Sequence, residues 1–204
     1  MATTTPTPTR QAVLNLPNAL TASRFVLALV LFVLIERKLW LACLGVFVLA
    51  AFTDWLDGYL ARKQGLVSTL GRNLDPLVDK VLVCGAYIFL LPGGEREGWL
   101  QSWMVTVVVA RELVITGLRS FMESHGATKF GADWLGKVKM VLQCAALIAI
   151  FVTLEATARL SETPAWMAWT RDACIWAMLA STLLSGLQYL WRAGALLRSD
   201  SYVP

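Results

Sequence analysis

Four aspartates lie within a short and otherwise mostly apolar stretch of the chain. They are Asp54, Asp57, Asp75 and Asp79. At 3.6 residues per turn, Asp54 and Asp57 share one helix face, and Asp75 and Asp79 share a face of a second helix. Two neighbouring helices would then direct four carboxylates at one point. Because such charges repel one another and lose hydration, we predict divalent metal between them, as a bridged pair of Mg²⁺ or Mn²⁺ ions.

Small and cationic residues accompany the first two aspartates. Gly58 and Ala61 follow Asp54 by four and seven residues and so share its helix face, where their lack of bulk lets a ligand approach the backbone. Arg62 adds a planar fork of donors suited to phosphate. Metal, small residues and arginine together predict a site for a diphosphate.

The aspartates have two other interpretations. A single aspartate at the end of a membrane helix is usually solvated or paired, but four at these spacings, beside glycines, are not typical of a solvated rim. Carboxylates inside a membrane are costly and therefore indicate function. That function could be an ion pathway in a divalent-cation or proton transporter. Against it, the carboxylates crowd one end of their spans, whereas transport sites usually lie near the membrane midplane.

The composition is that of a membrane protein. The chain has 204 residues, of which 57% are hydrophobic and 16% charged, and its mean hydropathy is +0.60. These values differ from those of a soluble domain. The net charge is +4, but the basic residues are scattered and form no basic run. We therefore predict no nucleic-acid partner, and a membrane surface and an anionic substrate fit better.

Cysteine and histidine chemistry is not indicated. The four cysteines lie in apolar segments without paired short spacing, which predicts reduced thiols instead of a disulfide framework or a zinc site. They are Cys43, Cys84, Cys144 and Cys174. His125, the one histidine, lies in a polar segment beside Gly126 and is interpreted as a loop residue.

Six membrane-spanning helices are expected to position these residues, so the predicted fold class is all-α and polytopic. The spans are predicted at about 18–35, 39–62, 76–91, 99–122, 134–154 and 165–193. Each suits a hydrocarbon layer of ~30 Å. Residues 64–73 are predicted to be a polar connection and residues 92–98 a turn. Residues 1–16 form a flexible tail with a short interfacial segment, 17–198 a single catalytic domain and 199–204 a C-terminal tail in this prediction.

Charge and aromatic residues predict the orientation. Basic residues are in excess at the motif end of the spans, whereas those at the other end are offset by acidic residues. The positive-inside rule therefore predicts that both termini and the motif face the cytoplasm. Tryptophans near predicted span ends are interpreted as interfacial anchors. They are Trp40, Trp99, Trp103, Trp134, Trp166 and Trp169.

A second group of charged residues is predicted near the same membrane face. Arg24 lies about two turns into the first span, and the fourth and fifth spans carry further basic residues. These are Arg111, Arg119, Lys137 and Lys139, with Glu112 beside Arg111. Single basic residues at helix ends are commonly headgroup anchors. Together, beside a metal site, they predict a pocket for a second, separately charged substrate.

The aspartate pattern also resembles a known family. Asp-x-x-Asp-Gly-x-x-Ala-Arg, eight residues and then Gly-x-x-x-Asp-x-x-x-Asp is the signature of the CDP-alcohol phosphotransferases, and residues 54–79 match it without a gap. Further segments resemble the bacterial branch that uses glycerol 3-phosphate. They are residues 16–24, 74–80, 110–112, 118–119, 136–139 and 188–190. Val78 and Met140 depart from that branch, where alanine and threonine are expected.

The resemblance implies an activity and a set of site residues. It implies transfer of a phosphatidyl group from CDP-diacylglycerol to the primary hydroxyl of glycerol 3-phosphate, with release of CMP. The four aspartates would hold two Mg²⁺ or Mn²⁺ ions, and Asp79 would also be the general base. The implied donor-binding residues are Asn18, Thr21, Gly58, Ala61, Arg62, Ser68 and Gly71. The implied acceptor-binding residues are Arg111, Arg119, Lys137 and Lys139.

The resemblance also implies a setting and leaves alternatives. It implies a homodimer in the bacterial inner membrane with the active site facing the cytoplasm. A sister enzyme with another acceptor would keep the same aspartate motif. Inositol phosphate, serine and phosphatidylglycerol are the alternative acceptors.

Overall fold

The protein folds into a bundle of α-helices. The structure is a computed structural model that describes residues 16–64, 69–124, 134–160 and 163–200, with side chains for 22–53, 78, 80–122, 134–160 and 163–195. The helices are α1 (Leu16–Glu36), α2 (Trp40–Gln64), α3 (Thr69–Glu97), α4 (Ser102–Ser124), α5 (Trp134–Arg159) and α6 (Ala165–Asp200). The described ranges contain no β-strand. The all-helical prediction is confirmed.

Helix packing forms one large core and one small cluster. Helix α1 packs on α2 and α3, while α5 packs on α2, α3 and α6, and α4 packs on α3 and α6. The large core holds fully buried side chains from α1, α2, α3 and α5, including Leu31, Phe47, Tyr87 and Leu147. The small cluster joins α4 to α6 through Ile115, Met122, Tyr189 and Ala193. This second cluster lies among the basic residues described below.

Helix α3 is longer at both ends than the sequence predicted. It begins at Thr69 and includes Pro92, in a segment predicted to be a turn. The helix ends at Gly98, whose φ of +82° is accessible to glycine. The amide of Trp99 donates to the carbonyl oxygen of Gly94 at 3.1 Å, which closes the last turn. A Cβ on Gly94 would lie 2.4 Å from Leu100 Cβ, so the chain after the helix packs directly against its final turn.

The turn after α3 also changes the start of α4. Helix α4 begins at Ser102, where Glu95 accepts hydrogen bonds from the Ser102 amide and hydroxyl, satisfying an amide of the first turn. Trp99 is outside the helix and only 6% exposed. Its indole N–H donates to Glu97 at 2.8 Å, and Arg171 Cζ lies 5.0 Å from its ring centre. Trp99 is thus an internal residue, and its prediction as an exposed membrane anchor is wrong.

Among the described residues, two helices are long and apolar enough to cross a membrane, judged by length and composition. They are Trp134–Arg159 and Ala165–Ala195, with mean hydropathy of 1.9 and 1.4. A shorter apolar stretch is Trp40–Thr53. Large apolar side chains cover outward faces of several helices. They include Val33, Phe52, Leu113, Val141, Leu183 and Leu187. Exposed apolar side chains of this kind suit contact with lipid.

Candidate active site

The acidic motif lies on two helices. Asp54 and Asp57 are in the last part of α2, and Asp75 and Asp79 are in the first part of α3. The other predicted donor-binding residues are distributed as Asn18 and Thr21 in α1, Gly58, Ala61 and Arg62 in α2, and Gly71 in α3. Ser68 lies outside the described residues, as do the side chains of this whole set. The metal and donor assignments therefore stay predictions.

Acidic, histidine and cysteine side chains form no cluster of three suited to a metal in the part of the chain whose side chains are described. The predicted metal site rests on the four motif aspartates alone.

A buried carboxylate is the centre of the basic group. Glu112 Oε1 forms an ion pair with Lys139 Nζ and accepts from Arg111 Nη1 at 3.3 Å. Gln143 Nε2 lies 3.4 Å from the same oxygen. The Glu112 side chain is 8% exposed. Lys139 and Gln143 are four residues apart on α5 and so share one helix face, from which their side chains reach Glu112 on α4. One carboxylate oxygen thus joins donors from two helices.

Arg111 also connects α4 to α6. Its Nη2 donates to Ser185 Oγ at 3.0 Å, and Ser185 donates in turn to the Thr182 carbonyl at 3.1 Å. Gly186 lies directly alongside, because a Cβ there would be 3.3 Å from Arg111 Cγ. The guanidinium is therefore held from two sides, by Glu112 and by Ser185.

Tyr189 brings the two predicted acceptor arginines together. Its hydroxyl accepts a hydrogen bond from Arg119 Nη2 at 2.7 Å. Arg111 Cζ and Arg119 Cζ lie 6.0 and 5.7 Å from the centre of its ring, at the outer limit for attraction between a cation and an aromatic ring. Tyr189 is 3% exposed. The eight-residue spacing of the arginines on α4 thus places both beside one aromatic side chain.

Donors remain for an anionic ligand. The Nε atoms of Arg111 and Arg119 are buried and have no hydrogen-bond partner within the described part of the chain. Buried N–H groups are nearly always paired in folded proteins, so these two suit an acceptor atom supplied by a ligand. Arg111 and Lys139 both pair with Glu112, whereas Arg119 lies beside Tyr189.

The remaining basic residues have different positions. Lys80, which follows Asp79 in α3, is close enough to interact electrostatically with both Glu112 and Lys139. Lys137 is exposed on α5, about 200° around the helix from Lys139. Arg24 is 2% exposed within α1. The structure therefore groups Arg111, Arg119 and Lys139 and leaves Lys137 on the exterior.

Several residues of this group were not assigned a role from the sequence. They are Glu112, Gln143, Ser185 and Tyr189. The signal for Glu112 was a lone acid inside an apolar span, since such a group requires a partner. Its partner Lys139 is 27 residues away on another helix, and no local pattern connects the two.

Long apolar helices around a buried basic group define the class of protein: a helical membrane protein with a charged site between α4, α5 and α6. The family model described as CDP-alcohol phosphatidyltransferase matches residues 14–185. The chain belongs to this family, which confirms the resemblance seen in the aspartate motif.

Several relatives of this chain share one name. A protein of Bacillus subtilis (strain 168) is 32% identical over 88% of this chain and 96% of its own length. One of Pseudomonas fluorescens is 34% identical over 92% of this chain and 94% of its own. One of Escherichia coli (strain K12) is 33% identical over 89% and 96%. Each is called CDP-diacylglycerol–glycerol-3-phosphate 3-phosphatidyltransferase.

Proposed function

We propose that the protein transfers the phosphatidyl group of CDP-diacylglycerol to the primary hydroxyl of glycerol 3-phosphate, giving phosphatidylglycerophosphate and CMP. The names and near-complete coverage of its relatives support this reaction. The structural observation that carries it is the group of Arg111, Arg119 and Lys139, in which Arg111 and Lys139 pair with Glu112 and Arg119 donates to Tyr189. A phosphate monoester carries a charge of about −1.5 to −2 near neutral pH, which this group would balance.

The acidic motif is proposed to hold the donor and two divalent ions, Mg²⁺ or Mn²⁺. Asp54, Asp57 and Asp75 would be metal ligands, with Asp79 both a ligand and the general base. On the donor, Arg62 and Ser68 would contact phosphate oxygens, while Gly58, Ala61 and Gly71 would leave space for it. Asn18 and Thr21 would lie near the cytidine diphosphate. A bound divalent ion would neutralise charge on the diphosphate and on the departing CMP.

Helix packing supports a site shared by the acidic motif and the basic group. Leu41 N donates to Glu155 at 3.0 Å, and the rings of Phe47 and Phe151 are 6.2 Å apart, so α2 runs antiparallel to α5. Asp57 lies ten residues after Phe47, and ten residues before Phe151 is Val141, about 15 Å along each helix. The α2 half of the motif therefore reaches about the depth of Lys139, and the α3 half adjoins the basic group through Lys80.

The reaction would proceed by direct attack on phosphorus. Asp79 would take the proton of the glycerol 3-phosphate primary hydroxyl, whose oxygen attacks the phosphorus that carries diacylglycerol, and CMP leaves. Arg111, Arg119 and Lys139 would hold the acceptor phosphate, whereas Lys137 lies on the exterior of α5. Proton abstraction contributes about 10²–10⁴-fold. The remaining acceleration would come from positioning two charged substrates within reach of each other and from metal electrostatics.

The proposed setting follows from the lipid donor. We propose that all six helices cross the bacterial inner membrane, with residues 17–198 as one catalytic domain and the active site facing the cytoplasm. The acyl chains of donor and product would then stay in the bilayer while their headgroups react. The resemblance to the family also supports a homodimer.

Acceptor selection tests the proposed reaction. Purified protein would be given labelled CDP-diacylglycerol with glycerol 3-phosphate, inositol phosphate, serine or phosphatidylglycerol, and CMP release measured. We expect release with glycerol 3-phosphate. Release with another acceptor and none with glycerol 3-phosphate would identify a sister enzyme. Ion flux in proteoliposomes without CMP release would instead indicate a transporter.

A further inference from the structure

Glu112 lies at the centre of the basic group, and neither the proposed metal site nor the proposed acceptor contacts explain why an acid is there. Glu112 is an acid where the proposed ligand is an anion, so it would repel that ligand directly. Its Oε1 nevertheless accepts hydrogen bonds from Lys139 Nζ, Arg111 Nη1 and Gln143 Nε2. We propose that Glu112 is a positioning residue that fixes Lys139 and Arg111 before the acceptor binds. This inference rests on the proposed function.

The contacts of Arg111 show what Glu112 would position. Arg111 donates from Nη1 to Glu112 and from Nη2 to Ser185 Oγ, the latter at 3.0 Å. Its Nε is buried and has no partner in the described part of the chain. A planar guanidinium held at both terminal nitrogens has a fixed orientation. Glu112 and Ser185 therefore hold the guanidinium with its Nε–H unpaired, so that this donor can serve a ligand.

The negative charge of Glu112 also offsets the repulsion between Lys139 and Arg111. Without it, Lys139 and Arg111 would be two buried cations whose mutual repulsion drives them apart. With it, both cations are paired with a carboxylate and can stay close together. Glu112 thus keeps Arg111 and Lys139 in place for an anionic ligand.

The test compares the full-length protein with Glu112→Gln, which keeps the shape and removes the charge. With CDP-diacylglycerol saturating, we expect the KM for glycerol 3-phosphate to rise about tenfold or more. The fall in kcat should be smaller, and the KM for CDP-diacylglycerol should stay within about twofold of the original value. Glu112→Asp, which restores the charge, should recover part of the loss.

A matched control is available on the same bundle. Glu155 forms an ion pair with Arg159 on α5 and accepts from Leu41 N, far from the basic group. Glu155→Gln removes a paired carboxylate that is more exposed than Glu112 and should leave the KM for glycerol 3-phosphate unchanged. An unchanged KM in folded Glu112→Gln would overturn the proposal.

Failure of folding and failure of the proposed function have their own readouts. If Glu112→Gln does not fold, Gln143→Leu removes a neutral donor to the same oxygen. We then expect an increase of about twofold to fivefold in acceptor KM, and no increase would overturn the proposal.

If the unmodified protein uses another acceptor, the proposed function fails. The same variants are then compared with that acceptor, and an unchanged KM would reject the role of Glu112 separately.

Discussion

Removal of one oxygen atom from Tyr189 tests how the two acceptor arginines are held. Tyr189→Phe deletes the hydroxyl that accepts from Arg119 Nη2 at 2.7 Å and keeps the ring beside Arg111 and Arg119. A hydrogen bond to a charged group contributes about 1.5–3 kcal/mol. Arg119 is partly exposed, so water would replace some of the loss, and we take the lower limit of about 1.5 kcal/mol.

That loss corresponds to a KM for glycerol 3-phosphate about tenfold higher. The assay follows CMP release at saturating CDP-diacylglycerol while glycerol 3-phosphate is varied. Trp191→Phe is the control, because Trp191 is on the same helix two residues away and is 82% exposed. It should leave the acceptor KM unchanged. An unchanged acceptor KM in Tyr189→Phe, or an equal rise in the KM for CDP-diacylglycerol, would refute the proposed role of this hydrogen bond.

Three further predictions concern the base, the metal and the fold. Asp79→Asn should abolish CMP production while retaining binding of CDP-diacylglycerol, and normal turnover would remove Asp79 from the mechanism. Treatment with a chelator should abolish activity, and added Mg²⁺ or Mn²⁺ should restore it; activity that survives complete metal removal would argue against the metal site. Gly94→Ala should lower stability by about 1–3 kcal/mol, because the new Cβ would lie 2.4 Å from Leu100 Cβ. Thermal unfolding in detergent measures this against Gly93→Ala, whose Cβ would have open space.

Helix order was predictable from the sequence, but some helix ends were not. Apolar stretches separated by polar segments indicated the number and order of helices, because a membrane helix needs a long apolar run. The end of α3 depends instead on the positive φ of Gly98 and on the packing of Leu100 against Gly94. Those are contacts made after the chain reverses direction. Pro92, Gly93 and Gly94 predicted that α3 ends about one helical turn earlier than it does.

Within the basic site, relations along one helix were predictable from the sequence, but contacts between helices were not. Arg111 and Arg119 are eight residues apart on one helix and so point in similar directions, and both lie beside the Tyr189 ring. Tyr189 is 70 residues from Arg119, and its contact depends on how α4 packs on α6. Lys137 and Lys139 looked equivalent in sequence, yet a separation of about 200° around α5 gives them different surroundings.

The central claim is most directly tested by following glycerol 3-phosphate itself. Purified protein would be incubated with CDP-diacylglycerol and radiolabelled glycerol 3-phosphate, and both lipid-bound label and CMP would be counted. The proposed reaction predicts one labelled lipid for each CMP released, with saturation in glycerol 3-phosphate. CMP release without label in the lipid fraction, or no release that depends on glycerol 3-phosphate, would contradict it.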